Sequence, residues 1–378
     1  MKIAVGLASI ALGLFATSAL AKPIPLSDSQ LGQIAAGNGF TVINEISDTN
    51  TEGVNPPDPL LVNSWGLAEA PAGGPLWVAN NGTGTSTLYN FNTFAKIPLN
   101  VTIPGVDGAQ SAPTGVVFTT LAGKSFGVRN NGQGGHSLFV FDSEDGIISG
   151  WAPTLSLTQA FVAVDQSASG AVFKGLAYFD PGRNAGAMIY AADFTQNKVE
   201  MFNQAFQQVG AFTDSSLPPG YAPFNAQQLN GKIYVTFALR GDGIDEQHGA
   251  GLGFVDVFTP AGQKIATLVS NGPLNAPWGL TIAPASFGKL AGALLVGNFG
   301  DGKINAFDPS TGAFLGQVTS PGGAQVVIDG LWALTPGPDG TVVFSSGPDD
   351  ESHGLVGVLA PATARASWAF QSHVVRRH

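Results

Sequence analysis

Short apolar runs alternate along the chain with turns rich in Gly, Pro, Asn and Asp. Most runs are too short for helices, and they are rich in Val, Ile, Leu and Phe, which pack well on a pleated sheet. Gly and Pro between such runs provide the tight connections of antiparallel strands. The pattern therefore predicts an all-β protein built from many short strands.

The apolar runs recur in units of about fifty residues, each opening with a small polar or Pro-containing step, a Gly and an apolar strand. The marker residues lie 49, 60, 51, 53 and 51 residues apart: Gly66, Gly115, Gly175, Ala226, Gly279 and Gly330. Four short strands per unit, repeated six times, are typical of a six-bladed β-propeller with four-stranded antiparallel blades.

The arrangement of strands inside the units also suggests how the ring closes. In the second unit, the sequence predicts the second strand at 126–129 and the third at 137–141. Little strand-like sequence follows Leu359, whereas residues 40–46 form an apolar run ahead of the first unit. We expect this N-terminal strand to complete the last blade, which would cover an otherwise open sheet edge.

Composition and charge exclude several classes of function. The 378 residues include 51 Gly, 25 Pro and no Cys, which excludes thiol catalysis, disulfides and cysteine-ligated metal. The net charge is −10, and the 16 Lys and Arg residues are scattered singly, so nucleic-acid binding is not expected. The expected partner is a small molecule, a saccharide or a protein, and the protein is expected to be a monomer.

Residues 1–21 have the three-part form of a secretory signal. Lys2 precedes an apolar run, and Ala19 and Ala21 offer small residues at the two recognition positions, so cleavage is expected before Lys22. The predicted organisation is a signal peptide at 1–21, a lead-in segment at 22–39, one propeller at 40–361 and a tail at 362–378. The signal is of bacterial type, which predicts a secreted or periplasmic protein with no membrane span after cleavage.

Several strings inside the repeats carry a family resemblance. The most specific are Leu-Asn-Ala-Pro-Trp-Gly-Leu at 274–280, Val-Gly-Asn-Phe-Gly-Asp-Gly at 296–302 and Gly-Pro-Asp-Asp-Glu-Ser-His-Gly at 347–354. The chain resembles a bacterial family of exported, uncharacterised propellers of the NHL-repeat and gluconolactonase-like type. The resemblance implies a six-bladed fold and export, without an established activity.

Propeller geometry predicts where a ligand would bind. The starts of the innermost strands and the loops between second and third strands share one face, around the mouth of the central channel, where ring-shaped folds commonly hold ligands. The residues predicted to converge there and bind a ligand are Trp65, Asn80, Asn130, Lys174, Asn225, Trp278 and Asn298. Asn in tight turns also serves as a local cap, and the two Trp could either stack on a sugar or plug the channel.

Acidic loops at the same face suggest a cation. Two similar loops, at 245–248 and 349–353, flank Asp301 in the sequence of blades. Carboxylates suit a hard ion such as Ca²⁺, which predicts a calcium site at Asp301, Asp349 and Asp350. Neither loop has the spacing of a twelve-residue calcium loop, and acidic loops are frequently just solvated.

Enzymatic activity stays open at this point. In gluconolactonase-like propellers a divalent metal at the mouth polarises a carbonyl for attack by water, and here Asp193 and Asp329 are the candidate catalytic residues. The Glu that such enzymes carry on the first inner strand is absent, because Trp65 stands there. The sequence therefore favours a binding scaffold with its ligand or cation site at the channel mouth. A metal-dependent hydrolase or lactonase is the alternative.

Overall fold

The computed structural model of the chain describes residues 39–362, apart from 51, 72, 120–125 and 183–185. These residues form six four-stranded antiparallel sheets, which confirms the predicted six-bladed β-propeller. The predicted signal peptide and the predicted tail beyond 362 lie outside the described residues, as does all but the last residue of the lead-in segment.

The strands follow the chain from the inner to the outer edge of each blade. Blades one to three comprise β2 (Ser64–Glu69), β3 (Leu76–Asn80), β4 (Thr85–Tyr89), β5 (Lys96–Thr102); β6 (Pro113–Phe118), β9 (Phe139–Ser143), β10 (Ile147–Trp151), β11 (Phe161–Asp165); and β12 (Phe173–Phe179), β13 (Met188–Asp193), β14 (Lys198–Asn203), β15 (Gln208–Phe212). Blades four and five comprise β16 (Tyr221–Leu229), β17 (Lys232–Leu239), β18 (Phe254–Phe258), β19 (Lys264–Ser270); and β20 (Pro277–Ile282), β21 (Leu294–Asn298), β22 (Ile304–Phe307), β23 (Phe314–Gln317).

Blade six closes the ring with a strand from the other end of the chain. Its strands are β24 (Leu331–Pro336), β25 (Val342–Ser346), β26 (Leu355–Pro361) and, outermost, β1 (Phe40–Ser47). The pairing of β1 with β26 runs antiparallel from Phe40 opposite Pro361 to Ser47 opposite Leu355. The N-terminal strand therefore closes the last blade, as predicted. Short 3-10 helices occupy connections at Asn81–Thr83, Val106–Gly108, Ser167–Ser169, Ala285–Leu290 and Pro338–Gly340.

Blade two departs from the predicted strand order. The segment predicted as its second strand forms β7 (Gly127–Asn130), which among the described strands pairs only with β8 (Gln133–His136), in an inserted hairpin. The true second strand is β9, which pairs with the inner strand β6. Phe126 and Val128 are buried and alternate like residues of a blade strand, which explains the error. Asn130 consequently lies on the hairpin, and its predicted place at the channel mouth is wrong.

A shift in pairing register near the start of every inner strand explains the marker residues. At this point neighbouring inner strands come very close together. A Cβ atom on Gly115 would lie 2.5 Å from the backbone N of Leu176, and one on Gly279 would lie 2.6 Å from the carbonyl O of Trp332. A side chain would not fit at these glycines, so they allow the blades to meet around the axis.

The markers of the fourth and sixth blades were misassigned. In blade four the register shift falls between Pro223 and Asn225, which puts Asn225, and not Ala226, in the marker position and Phe224 ahead of it. In blade six the shift falls between Leu331 and Leu334, which puts Ala333, and not Gly330, in the marker position. The residue ahead of the marker, which corresponds to Trp65 and Lys174 in other blades, is therefore Trp332. Asp329 lies three residues earlier, in the loop that enters the blade.

Large apolar side chains fill the spaces between adjacent blades. Between blades one and two, Trp77 stacks on Phe139 with ring centres 4.1 Å apart and also contacts Trp151. Similar clusters of buried side chains recur around the ring. In the described part of the chain, no helix has the length and apolar character needed to cross a membrane.

We predict that Gly115→Ala destabilises the propeller by about 2–3 kcal/mol, because the new methyl group would overlap backbone that cannot move without parting two blades. Gly134→Ala is the matched control, since the nearest atom to its Cβ would be a carbonyl oxygen 3.9 Å away. That change should alter the free energy of unfolding by no more than about 0.5 kcal/mol. Urea unfolding of both variants is the measurement, and equal losses would contradict the role assigned to Gly115.

Candidate functional site

The face that carries the inner-strand starts and the loops between second and third strands is called the top face below. The residue ahead of each marker is almost completely buried, with 0 to 4 % of its surface exposed. These six residues are Trp65, Thr114, Lys174, Phe224, Trp278 and Trp332. Several of them contact one another across non-adjacent blades, which places them around the central axis.

Aromatic rings close the channel beneath the top face. Trp332 lies between Trp65 and Phe299, with ring centres 3.4 and 3.9 Å away and planes within 20° of parallel. Trp278 meets the edges of Trp65 and Trp332 at 6.0 and 5.8 Å. We name these four rings the aromatic plug. They contact one another through stacked and edge-to-face packing. Trp65 and Trp278 are 2 and 4 % exposed and pack within this plug, and a role for either in binding a ligand stays a prediction.

Backbone contacts hold the plug in place. The Trp278 indole Nε1 donates to the carbonyl O of Lys174 at 2.8 Å, and the Asn225 Nδ2 donates to the carbonyl O of Trp278 at 2.9 Å. The other amide atom of Asn225, Oδ1, accepts from the backbone N of Ala226 at 2.8 Å. Both the oxygen and the nitrogen of this amide are therefore hydrogen-bonded to the backbone of the propeller, and ligand binding by Asn225 stays a prediction.

Directly beside the plug lies a buried ion pair between blades two and three. The Lys174 ammonium donates to Glu144 Oε1 at 2.5 Å, and the lysine is only 2 % exposed. Its Nζ also lies 5.3 Å from the centre of the Trp65 ring, a cation–π distance. Burial by itself would lower the pKa of Lys174, but the charges of Glu144 and Glu246 outweigh it and raise that pKa. The side chain is therefore a stable ammonium ion.

Two further carboxyl groups face this ion pair. Glu246, from blade four, has a side chain only 6 % exposed and contacts His248 Nε2 at 3.3 Å. Glu351, from blade six, has its pKa raised to about 7 by burial, with further contributions from the negative charges of Glu246 and Glu144. We name Glu144, Lys174, Glu246 and Glu351 the acidic pocket. It gathers charges from four separate blades.

A chain of amide groups connects the pocket with the plug. Asn63 Oδ1 accepts from the indole Nε1 of both Trp65 and Trp332, at 3.0 and 3.1 Å. Its Nδ2 donates to Asn81 Oδ1 at 3.3 Å, and Asn81 Nδ2 donates to Glu144 Oε2 at 2.9 Å. Asn63 has a φ of 48°, a left-handed conformation that Asn tolerates better than most residues. The network orients Glu144 relative to the aromatic floor.

Three predicted site residues make hydrogen bonds to nearby loops and strands of the protein. Asn80, Asp193 and Asn298 each end a second strand, and all three are fully buried. Asn80 Nδ2 donates to a threonine hydroxyl at 3.0 Å, Asp193 Oδ1 accepts from the backbone N of Gln196 at 3.2 Å, and Asn298 Nδ2 donates to a carbonyl oxygen at 2.8 Å. These contacts support the structural alternative for this position, and a ligand role stays a prediction.

The remaining acidic candidates do not join the pocket. Asp329 Oδ2 accepts from the backbone N of Asp349 at 2.9 Å, and Asp301 pairs with Lys303 at 3.3 Å. Asp349 and Asp350 both adopt left-handed turn conformations. Among residues 39–362 that are described, no three Asp, Glu or His side chains come close enough to hold one metal ion. The predicted calcium site therefore gains no support here.

Sequence reasoning missed the central role of Glu144. It follows β9 directly, so it reaches the top face only when β9 is recognised as the second strand of blade two. Trp332 was missed because Gly330 was taken as the marker. Asn63 lies ahead of the first inner strand, and its bonds to two indoles from different blades leave no pattern in the sequence.

We predict that Glu351→Gln stabilises the protein at pH 8 by up to about 3 kcal/mol. The carboxyl pKa is about 7 in the folded protein against 4.5 for the free group, so the folded state holds a proton that the unfolded chain releases. The free energy of unfolding of the wild type therefore falls as the pH rises from 4.5 through 7. A Gln at this position does not ionise, so the variant avoids that loss. Thermal unfolding at pH 5 and pH 8 measures the difference.

The control for this prediction is Glu144→Gln, which removes the partner of the buried Lys174 ammonium. An unpaired buried charge is costly, so this variant should be destabilised at both pH values. A Glu351→Gln variant that loses stability at pH 8 to the same extent would show that Glu351 is a structural anchor as well.

Comparison with known proteins identifies relatives but no activity. No family model matches the chain. An uncharacterised protein of Acanthamoeba polyphaga mimivirus is 32% identical over 330 residues, which cover 84% of this chain and 79% of that protein. A second uncharacterised protein of the same virus is 32% identical over 318 residues, covering 80% and 81%.

A solved glucose dehydrogenase aligns with 84% of this chain and 98% of its own, with a TM-score of 0.52 and 14% identity, a likeness of fold alone. The sequence relatives are viral, so the expected bacterial family and the expected bacterial secreted or periplasmic localisation are both wrong. The chain belongs to the same family as these uncharacterised mimivirus proteins.

Proposed function

We propose that the protein is a binding module that holds a small polar ligand in the acidic pocket on the top face. The observation that carries this proposal is the placement of Lys174, a 2 % exposed ammonium ion, against carboxyl groups from three other blades. The equivalent positions of the other blades carry Trp, Thr or Phe, so the fold itself does not need a lysine there.

Energetic reasoning supports a functional origin for this cluster. Removing two charges from water is expensive, and a buried ion pair is on average a poor source of stability. Placing Glu246 and Glu351 beside it adds repulsion between like charges, and this repulsion adds to the larger effect of burial in raising the pKa of Glu351. Groups with shifted pKa values in a concave site are frequent in binding and catalytic centres. A ligand that satisfies these carboxylates would offset the cost.

Binding fits the arrangement better than metal-dependent hydrolysis. The two acidic residues considered for that chemistry, Asp193 and Asp329, each accept hydrogen bonds from their own blade. The pocket, by contrast, combines charged groups with a closed aromatic floor, which gives a ligand a fixed surface to rest against. A binding role therefore needs no rearrangement of the described side chains.

We expect a thermal-shift screen of polar metabolites against the full chain to give ligands that raise the melting temperature through binding to the native state. The stabilisation by these ligands should be lost in Glu246→Gln and in Lys174→Met, because both changes remove a charged group of the pocket. Isothermal calorimetry on the hits would measure the loss, expected to be tenfold or more in affinity.

Asp339→Asn provides the matched control, since it removes an exposed acidic charge from a loop between the first and second strands of blade six, on the opposite face. It should leave ligand binding unchanged. Hits that bind equally well to the wild type and both pocket variants, or a screen without any pocket-dependent hit, would contradict the proposal.

A further inference from the structure

The acidic pocket contains more negative than positive charge. Three carboxyl groups face one ammonium ion, and the surrounding surface has the same sign. The six loops between second and third strands contain nine Asp and Glu residues but only two Lys and Arg residues. Such a field attracts positively charged ligands and repels anions.

The hydrogen bonds show which carboxyl groups are available. Glu144 is committed on both oxygens, to Lys174 and to Asn81. Glu246 has one described contact, to His248, and Glu351 faces the amide of Asn63. Each carboxylate offers about four acceptor directions, so Glu246 and Glu351 retain free capacity for N–H donors of a ligand.

The buried ammonium ion has unused hydrogen-bonding capacity too. An ammonium group has three N–H donors, and among the described residues Lys174 gives one hydrogen bond, to Glu144. Because the side chain is only 2 % exposed, bulk water has little access to the two remaining N–H donors. A ligand oxygen in the pocket would complete the set.

The two indoles beside the ion pair offer no open face for stacking. Trp65 and Trp332 are 2 and 1 % exposed and lie against each other, and Phe299 stacks on Trp332. Sugar recognition commonly uses an exposed ring face, which neither indole presents. We therefore expect recognition here to depend mainly on charge and hydrogen bonds.

Building on the proposed function, we infer that the ligand carries an organic cation, an ammonium or guanidinium group, which binds Glu246 and Glu351, together with an oxygen that accepts from Lys174. Within the described residues, the carboxyl groups do not approach closely enough to surround a single metal ion. The N–H groups of an organic cation point in several directions from one charged centre. Such a cation can therefore bind carboxylates that lie too far apart to coordinate the same metal ion.

The effect of pH follows from the groups that face Glu351. These are Glu246 and Glu144, whose charges disfavour its ionisation, Lys174 and the Asn63 amide, which favour it, and His248, which is itself paired with Glu246. A cation binds best when Glu351 is ionised and His248 is neutral. Binding should therefore tighten as pH rises from 6 to 8, with release of a proton on binding.

Matched pairs of probes test the inference: 3-aminopropanol against 1,3-propanediol, and ethanolamine against ethylene glycol, since both amines are cationic at pH 6 and at pH 8. Calorimetry with the full chain at pH 8 should show that at least one amine binds tenfold or more tightly than its neutral counterpart. The advantage should disappear in Glu246→Gln and shrink in Glu351→Gln, and it should persist in Asp339→Asn. At pH 6 the same amine should bind more weakly.

The outcomes separate this inference from the proposed function. If the neutral compounds bind as tightly as the amines, and their binding depends on Glu246 and Lys174, the binding module stands and the cationic ligand is ruled out. If amines bind equally to wild type and Glu246→Gln, the attraction belongs to the acidic surface in general, which also overturns the inference. If neither probe class shows pocket-dependent binding, the inference fails. If the broader screen is also empty, the proposed function fails with it.

Discussion

The close approach of neighbouring inner strands is the constraint on which the rest of the structure depends. Gly66, Gly115 and Gly279 have no room for a Cβ atom, because the backbone of the next blade occupies that space. Bringing the blades together here narrows the axis until side chains from non-adjacent blades touch. The residue ahead of each marker must then fit into a space shared by six strands, and in three blades that residue is a Trp. The closed channel follows from that crowding.

The aromatic plug in turn sets the properties of the pocket beside it. With the channel closed, Lys174 lies against the Trp65 ring and is only 2 % exposed, and the side chains of Glu144 and Glu246 are 15 and 6 % exposed. Charges interact more strongly in such a setting than at an open surface. The Asn63 network joins the two layers, because the same amide that accepts from two indoles also orients Asn81 and, through it, Glu144.

Repetition made the fold predictable from sequence, whereas the site depends on departures from repetition. The spacing of apolar runs was enough for six blades and for closure by β1. It failed where local pattern and pairing disagree, because Phe126 and Val128 alternate like a blade strand although β7 pairs only with β8. It failed again at Gly330, which resembles a marker, while the register selects Ala333. Both errors concealed site residues, since Glu144 and Trp332 take their places only through the correct pairing.

The three glutamates of the pocket show why residue type alone could not assign their roles. Glu144 has a buried ammonium ion and an amide as partners, so it anchors Lys174. Glu351 is buried near the same ammonium ion, but it also faces two other carboxylates, and its pKa rises to about 7. Glu144 thereby serves as an anchor, whereas Glu351 exchanges its proton near neutral pH. That difference arises from the blade that carries each residue and from the charged side chains that the neighbouring blades place beside it. As a result, the pocket contains a carboxyl group, Glu351, whose ionisation a bound ligand can change.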